Sequence, residues 1–209
     1  MPPTFDPKPL VLEGRCARLE PLHPGHGDDL FAAGADPEVW RYMPLRPPRE
    51  RDEMRQWIES VLKEGRFGGI LPFAIVHRDS GRAVGSTRFF DIRPADRALE
   101  IGWTWIGKPW QRTALNTECK YLLLRHAFED LGALRVQFKT DSRNLQSQKA
   151  LERIGAVKEG VLRKQRINWD GYIRDSVYYS ILDEEWPAAK RRLESLLESG
   201  LDRRMARNA

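Results

Sequence analysis

The residue types and spacings that could support chemistry concentrate between positions 99 and 155. Residues 110–117, WQRTALNT, run from a short proline-containing turn into a helix that begins near Asn116. The first N–H groups of a helix have no intrahelical partner, and the helix dipole adds partial positive charge, so this segment could hold a diphosphate. The loop contains no glycine. Helix-start residues hold φ of about −60°, which Ala and Thr accept, and Ala114 leaves the backbone approachable. A polar turn that only starts a helix is the alternative. Upstream, in ALEIGWTWIG, Leu99, Ile101, Trp103 and Trp105 alternate onto one strand face and Glu100, Gly102 and Thr104 onto the other. A carboxylate at Glu100 could serve as a general base or as a salt-bridged strand residue. Downstream, Asn144 opens NLQS as a helix N-cap, with Ser147 three residues on. His77 ends a strand and His126 falls mid-helix, which makes both weaker candidates. No Ser-His-Asp or Cys-His arrangement is suggested, so no covalent intermediate on the protein is expected.

The elements that must position these groups are legible from periodicity. LVLEGRCARLEPL reads as a strand, or a strand pair turning at Glu13-Gly14, and residues 26–34 as a short helix. RPPRERDEMRQWIESVLKEGR places Pro and acids early, Met54, Trp57, Ile58, Val61 and Leu62 on one face, and Gly65 after the end, which predicts a helix. LPFAIVHRDSGRAVGSTRFFDI predicts two strands joined at Asp79-Ser80-Gly81. The helix from Asn116 carries Tyr121, Leu124, Phe128 and Leu131 as a stripe, widened by Leu123 and Ala127 and closed by Gly132. Then follow strand LRVQFKT, helix NLQSQKALERIG with Gly155 at its end, strands AVKEGVLR and RDSVYYSIL, and a terminal helix from Asp183. This order predicts an α/β (α+β) fold: a mixed, mostly antiparallel central sheet of six to seven strands with helices on both faces.

At 209 residues, with 41% hydrophobic content and seven Trp, the chain has material for one well-packed domain. Charged residues make up 31% with a net charge of +5, and the mixed signs argue against a dedicated nucleic-acid binder. Cys16 and Cys119 are too few for a disulfide framework, and no Cys/His cluster points to a metal. No apolar run approaches the ~18 residues of a membrane span, and MPPTFDPKPL does not read as a signal peptide, so a cytoplasmic location is expected. The expected organisation is a flexible segment 1–9, a domain over 10–187, and an amphipathic helix with a basic tail over 188–209.

The stretches EIGWTWIGKPWQRTALNTE, HAFEDLGALRVQFKTDSRNLQSQKALERIGAVKEGVLR and RDSVYYSIL resemble the GCN5-related N-acetyltransferase (GNAT) family. The resemblance spans roughly residues 11–187 and is closest to the RimJ/RimL-like branch that acetylates ribosomal-protein N-termini. It implies acetyl-CoA as co-substrate, no metal, and an amine-bearing acceptor, with homodimerisation common in the family. The family's pyrophosphate loop, Gln/Arg-x-x-Gly-x-Gly/Ala, falls on Gln111, Arg112, Thr113, Ala114, Leu115 and Asn116, leading into Thr117. The opening Gln matches, whereas Ala114 replaces the central Gly and Asn116 the last small residue. Arg112 would reach a phosphate or the CoA ribose phosphate. The backbone of Trp103, Thr104, Trp105 and Ile106 would pair with the pantetheine arm where their strand splays from a parallel neighbour. Asn144 would bond a pantetheine amide. The Tyr that many members place seven residues later is here Leu151, and the branch resembled uses the Ser that matches Ser147 to protonate or bond the leaving thiolate. Glu100 becomes the candidate base, acting through water, with direct transfer in a ternary complex.

Three functions compete. A CoA-dependent N-acetyltransferase leads, with a protein N-terminus or a small amine as acceptor. A non-catalytic acyl-CoA-binding or sensing module is kept open by the missing glycines and Tyr. The Arg-rich end, KRRLESLLESGLDRRMARNA, could dock on RNA, but interleaved acids and regular Leu spacing read better as a packing helix. Residues 40–65 and 166–172 would form the walls that select the acceptor.

Overall fold

The computed structural model describes residues 5–66 and 69–208, so positions 1–4 of the expected flexible segment and the last residue of the tail lie outside the described residues. The strand pair expected around Glu13-Gly14 is present as β1 (Leu12–Glu13) and β2 (Ala17–Pro21). The hairpin at Asp79-Ser80-Gly81 joins β3 (Ile70–His77) to β4 (Arg82–Arg93), and β5 (Ala98–Ile106) returns against β4. With β6 (Arg135–Asp141), β7 (Val157–Ile167) and β8 (Ile173–Leu182), these strands form one sheet in the order β1-β2-β3-β4-β5-β6-β8-β7. Among the described residues, eight strands replace the expected six to seven because the two-residue β1 counts separately. Every neighbouring pair is antiparallel except β5 and β6.

Helices cover both faces. On one face lie α1 (Gly27–Ala33) and α2 (Arg51–Arg66), whose Leu30, Met54, Ile58 and Val61 pack with Trp40 and Trp105. Met54, Ile58 and Val61 are spaced by four and three residues, the period that keeps one helical face apolar. Gly65, expected just after this helix, lies within it. On the other face, α3 (Leu115–Arg125), α4 (Leu145–Arg153) and α5 (Trp186–Asn208) contribute Leu122, Leu123, Leu151, Trp186 and Leu193 to a core with Leu99, Ile101, Val136 and Phe138. After α3 the chain makes one wider helical turn over His126–Asp130 and then leaves through Gly132, whose φ of +67° suits a residue without Cβ. Among the described residues, no helix is long and apolar enough to cross a membrane.

Two local features of β5 set up the site. Its parallel pairing with β6 comprises Ala98–Arg135, Leu99–Val136 and Glu100–Gln137 and then stops, whereas β6 pairs with β8 from Arg135 through Asp141. Against β4, Gly102 opposes Arg88 and Trp105 opposes Ser86, so Trp103 and Thr104 together face Thr87. This is a β-bulge, and Trp103 takes a left-handed φ of +51° within it. One extra residue exchanges the faces of everything beyond it. The alternation expected from the sequence therefore fails after Gly102. Leu99 and Ile101 join the core under α3, but Trp105 joins the opposite core, with ring centroids 4.7 Å from Trp40 and 6.1 Å from Trp57. Thr104 instead turns toward α3 and meets Lys120.

Candidate active site

Where β5 leaves β6, a cleft of about 570 Å³ opens between them. Glu100, Trp103, Thr104, Trp105 and Ile106 line it from β5, and Phe138, Lys139, Thr140 and Asp141 from β6. Gln111, Arg112, Asn116 and Thr117 close one end, while Asn144, Ser147 and Leu151 line it from α4. The cleft thus gathers most of the residues singled out in the sequence. It does not include the side chains of Thr113, Ala114 or Leu115, and Leu115 is part of the core.

The loop before α3 is built without glycine. Ala114 adopts φ −66° and ψ −16°, values open to any residue, and Arg112 carries the positive φ, +59°. Gln111 Nε2 donates to the Ile106 carbonyl at 2.9 Å and ties the loop to the end of β5. Thr113 Oγ1 donates to the Trp110 carbonyl at 2.7 Å and accepts the Leu115 amide at 3.3 Å, so that amide is engaged within the loop. The Glu118 amide reaches the Ala114 carbonyl at 2.9 Å, so the amides of Asn116 and Thr117 precede the first hydrogen bond of the helix. Asn116 Oδ1 is buried with no hydrogen-bond partner among the described residues.

Glu100 sits at the fork itself, 1% exposed. Its Oε2 lies 3.0 Å from Gln137 Nε2 and 3.3 Å from Lys139 Nζ, whereas Oε1 has no partner among the described residues. Burial pushes its pKa above the ordinary carboxylate value, against the opposing pull of Lys139 and the Gln137 hydrogen bond. On the far side, Asn144 Oδ1 accepts the Ser147 amide at 3.0 Å, the capping bond expected, and its amide nitrogen remains to donate. Leu151, 6% exposed, fills the position where a Tyr would stand and offers no proton.

The sequence profile of the acetyltransferase (GNAT) domain matches residues 17–157, which is more than half of the chain. The chain belongs to the GNAT acetyltransferase family. The general reaction of that family moves an acetyl group from its CoA thioester to an amine. The fold of this acetyltransferase aligns with a GCN5-related N-acetyltransferase from Brucella melitensis at TM-score 0.88 and 32% identity, over 94% of this chain and 89% of that one. A structure named as an acetyltransferase from T. thermophilus is 44% identical, with TM-score 0.83 over 91% of this chain and 98% of that one. A Bacillus subtilis (strain 168) protein named as a ribosomal N-acetyltransferase, YdaF, is 33% identical over 110 residues, 53% of this chain and 59% of that protein.

Several cleft residues of the acetyltransferase were not singled out in the sequence. Lys120, on the buried side of α3, places Nζ 2.9 Å from Thr104 Oγ1, which in turn lies 2.8 Å from Thr87 Oγ1. Burial brings this amine down to about 8. A helical signal was available, because Lys120 lies three and four residues before Leu123 and Leu124 on the apolar stripe. Lys139, Arg166 and Arg174 also line the cleft, and only strand pairing between distant segments brings them to Glu100. The two histidines lie elsewhere: His77 Nδ1 meets Ser80 Oγ at 3.0 Å, and His126 Nδ1 meets Asp130 at 2.7 Å. Burial holds the Cys119 thiol protonated. Outside the cleft, Glu20, His23 and His26 bring three metal-capable atoms within 4.8 Å of one another. Their hydrogen bonds account for that proximity: His26 Nε2 meets Glu20 at 2.7 Å and its Nδ1 accepts the His23 amide at 3.2 Å, closing the turn before α1.

Proposed function

We propose that this acetyltransferase binds acetyl-CoA in the β5/β6 fork and passes the acetyl group directly to a primary amine in a ternary complex. The observation that carries this reading is the end of the β5/β6 ladder at Glu100–Gln137, beside a helix start whose Asn116 and Thr117 amides precede the first hydrogen bond of the helix. Acetyl-CoA supplies an activated acyl group as its thioester. The amides of Asn116 and Thr117, with Arg112, hold its phosphates. The backbone of Trp103, Thr104, Trp105 and Ile106 and the amide nitrogen of Asn144 hydrogen-bond the pantetheine arm. Glu100, directly or through one water, takes the proton from the attacking amine, and its raised pKa keeps it a strong enough base for that task. Ser147 donates a hydrogen bond from Oγ to the departing sulfur, the role for which Leu151 has no chemistry.

The acceptor reaches Glu100 from the side walled by Tyr42, Met43, Pro44 and Arg166, which fall within the two segments expected to select it, and by the adjoining Gln165. The likeness to YdaF supports a protein N-terminus as acceptor and a cytoplasmic setting. Leu151 favours a second reading, a module that binds acyl-CoA without turning it over. An acceptor screen that follows CoA thiol release, run beside calorimetry with acetyl-CoA, separates the two. Thiol release lost in Glu100→Gln and reduced in Ser147→Ala, with thioester binding retained, supports catalysis. Heat of binding without release from any amine supports the module, and no heat at all ends both readings.

A further inference from the structure

The acceptor side of the fork carries more positive charge than its own acids neutralise. Glu100 is shared with Lys139, and Asp141 is taken by Arg143, whose Nη2 lies 3.0 Å from Oδ2. Two guanidinium groups remain. Arg174 is 7% exposed, lines the cleft, and has a buried Nε with no hydrogen-bond partner; among the described residues no ion pair satisfies its guanidinium. Arg166 is its register partner across β7 and β8, so both side chains leave the sheet on the same face and into the same cleft. The Arg166 guanidinium lies 5.5 Å from the Trp103 ring centroid. Like charges directly opposite each other in a sheet destabilise the pair, and a buried guanidinium without an anion is costlier still. Burial lowers the pKa of Arg174 and the neighbouring Arg166 adds to the effect, against the opposing pull of Asp141 and Glu100, which are already shared with Arg143 and Lys139. Such an arrangement is relieved by an oxyanion bridging the two guanidinium groups, which present fixed forks of donors suited to it.

The face on which this charge sits identifies what would supply the anion. Arg174 alternates with Val177 and Tyr179, which pack under α3, α4 and α5, so it points to the opposite side. That is the side of Glu100 and Lys139, away from the α3 helix start that would hold the cofactor phosphates. We propose that the acceptor is an acidic amine, carrying a carboxylate or phosphate near its amino group, and that Arg174 and Arg166 hold this anion while the amine meets Glu100. This rests on the reading of Glu100 as the base.

The test compares matched acceptors differing only in charge: N-terminal tripeptides with Glu or Gln at the second position, and phosphoethanolamine against ethanolamine. CoA thiol release is measured for each with the native enzyme, Arg174→Gln, Arg174→Lys and Arg166→Gln, and calorimetry with acetyl-CoA accompanies every variant. The expected result is a kcat/KM at least tenfold higher for the charged member of a pair. Arg174→Gln is expected to bring that ratio toward one and Arg174→Lys to restore much of it. Preference in the peptide pair alone assigns a carboxylate, and in the other pair alone a phosphate. Equal use of charged and neutral members overturns the proposal. So does Arg174→Gln lowering both members alike, or weakening acetyl-CoA binding tenfold, which would assign the guanidinium to the cofactor. Thioester binding with no release from any acceptor overturns the acidic-amine assignment and leaves the cofactor cleft standing, whereas absent thioester binding removes the cleft reading itself.

Discussion

Glu118 and Glu100 are buried to similar depth, 5% and 1% exposed, in surroundings that differ in one respect. At the turn between β1 and β2, Glu118 accepts the backbone amides of Arg15, Cys16 and Ala17, each at 2.7 Å. The fit is close enough that a Cβ on Gly14 would lie 2.4 Å from its carboxyl carbon. At the β5/β6 fork, Glu100 keeps one oxygen with no partner among the described residues. A buried carboxylate with both oxygens engaged ties segments together; one left short by the end of a strand ladder can take a proton from something else. The same contrast separates the two edges of β6, which is paired along its whole length with β8 and over only three residues with β5.

Substitutions at the two acids break or sharpen this comparison. Glu100→Gln is expected to lower kcat by roughly 10²–10⁴-fold while leaving the Kd for acetyl-CoA unchanged, measured by thiol release and calorimetry. The native enzyme should lose activity as pH falls, because the base works only when deprotonated. With the Glu100 pKa raised, the loss should set in above the range of an ordinary carboxylate, and a pH–kcat profile reads it directly. Glu118→Ala reverses the pattern. It strands three backbone donors and is expected to cost ~2–4 kcal/mol in urea unfolding, with little effect on kcat per folded molecule.

Lys120 extends the contrast to a cation. Its folded-state value of about 8 lies below the ordinary 10.5, so the penalty for burying it is complete below pH 8 and disappears as pH rises toward 10.5. Lys120→Met is expected to stabilise the protein at pH 7 by ~1–3 kcal/mol, an advantage that shrinks in melts at higher pH. The smallest effect expected is that of Ser147→Ala, about tenfold or less in kcat, read from single-turnover thiol release.

What could be read in advance differs by residue for physical reasons. Asn144 was legible as a cap because its partner, the Ser147 amide, is three residues away. Ala114 was legible as compatible with a helix start because its φ depends on its own neighbours. The faces of Trp103 and Trp105 were misassigned because the bulge that exchanges them is a register event between β4 and β5, and alternation alone carries no sign of it. Arg174 and Lys139 gave no local cue at all. Each looks like an ordinary charged strand residue until β6 and β8 pair and turn both to Glu100.

The amino-acid sequence by itself determined the element order, the caps and turns, the stripes that form two cores, and the residues of the loop before α3. These depend on interactions within a few residues of each other. Tertiary structure alone decided where β5 parts from β6, which face each residue takes beyond the bulge, and which buried charges are left without a partner. Those outcomes belong to pairs of segments far apart in the chain, and their energies exist only once the segments meet.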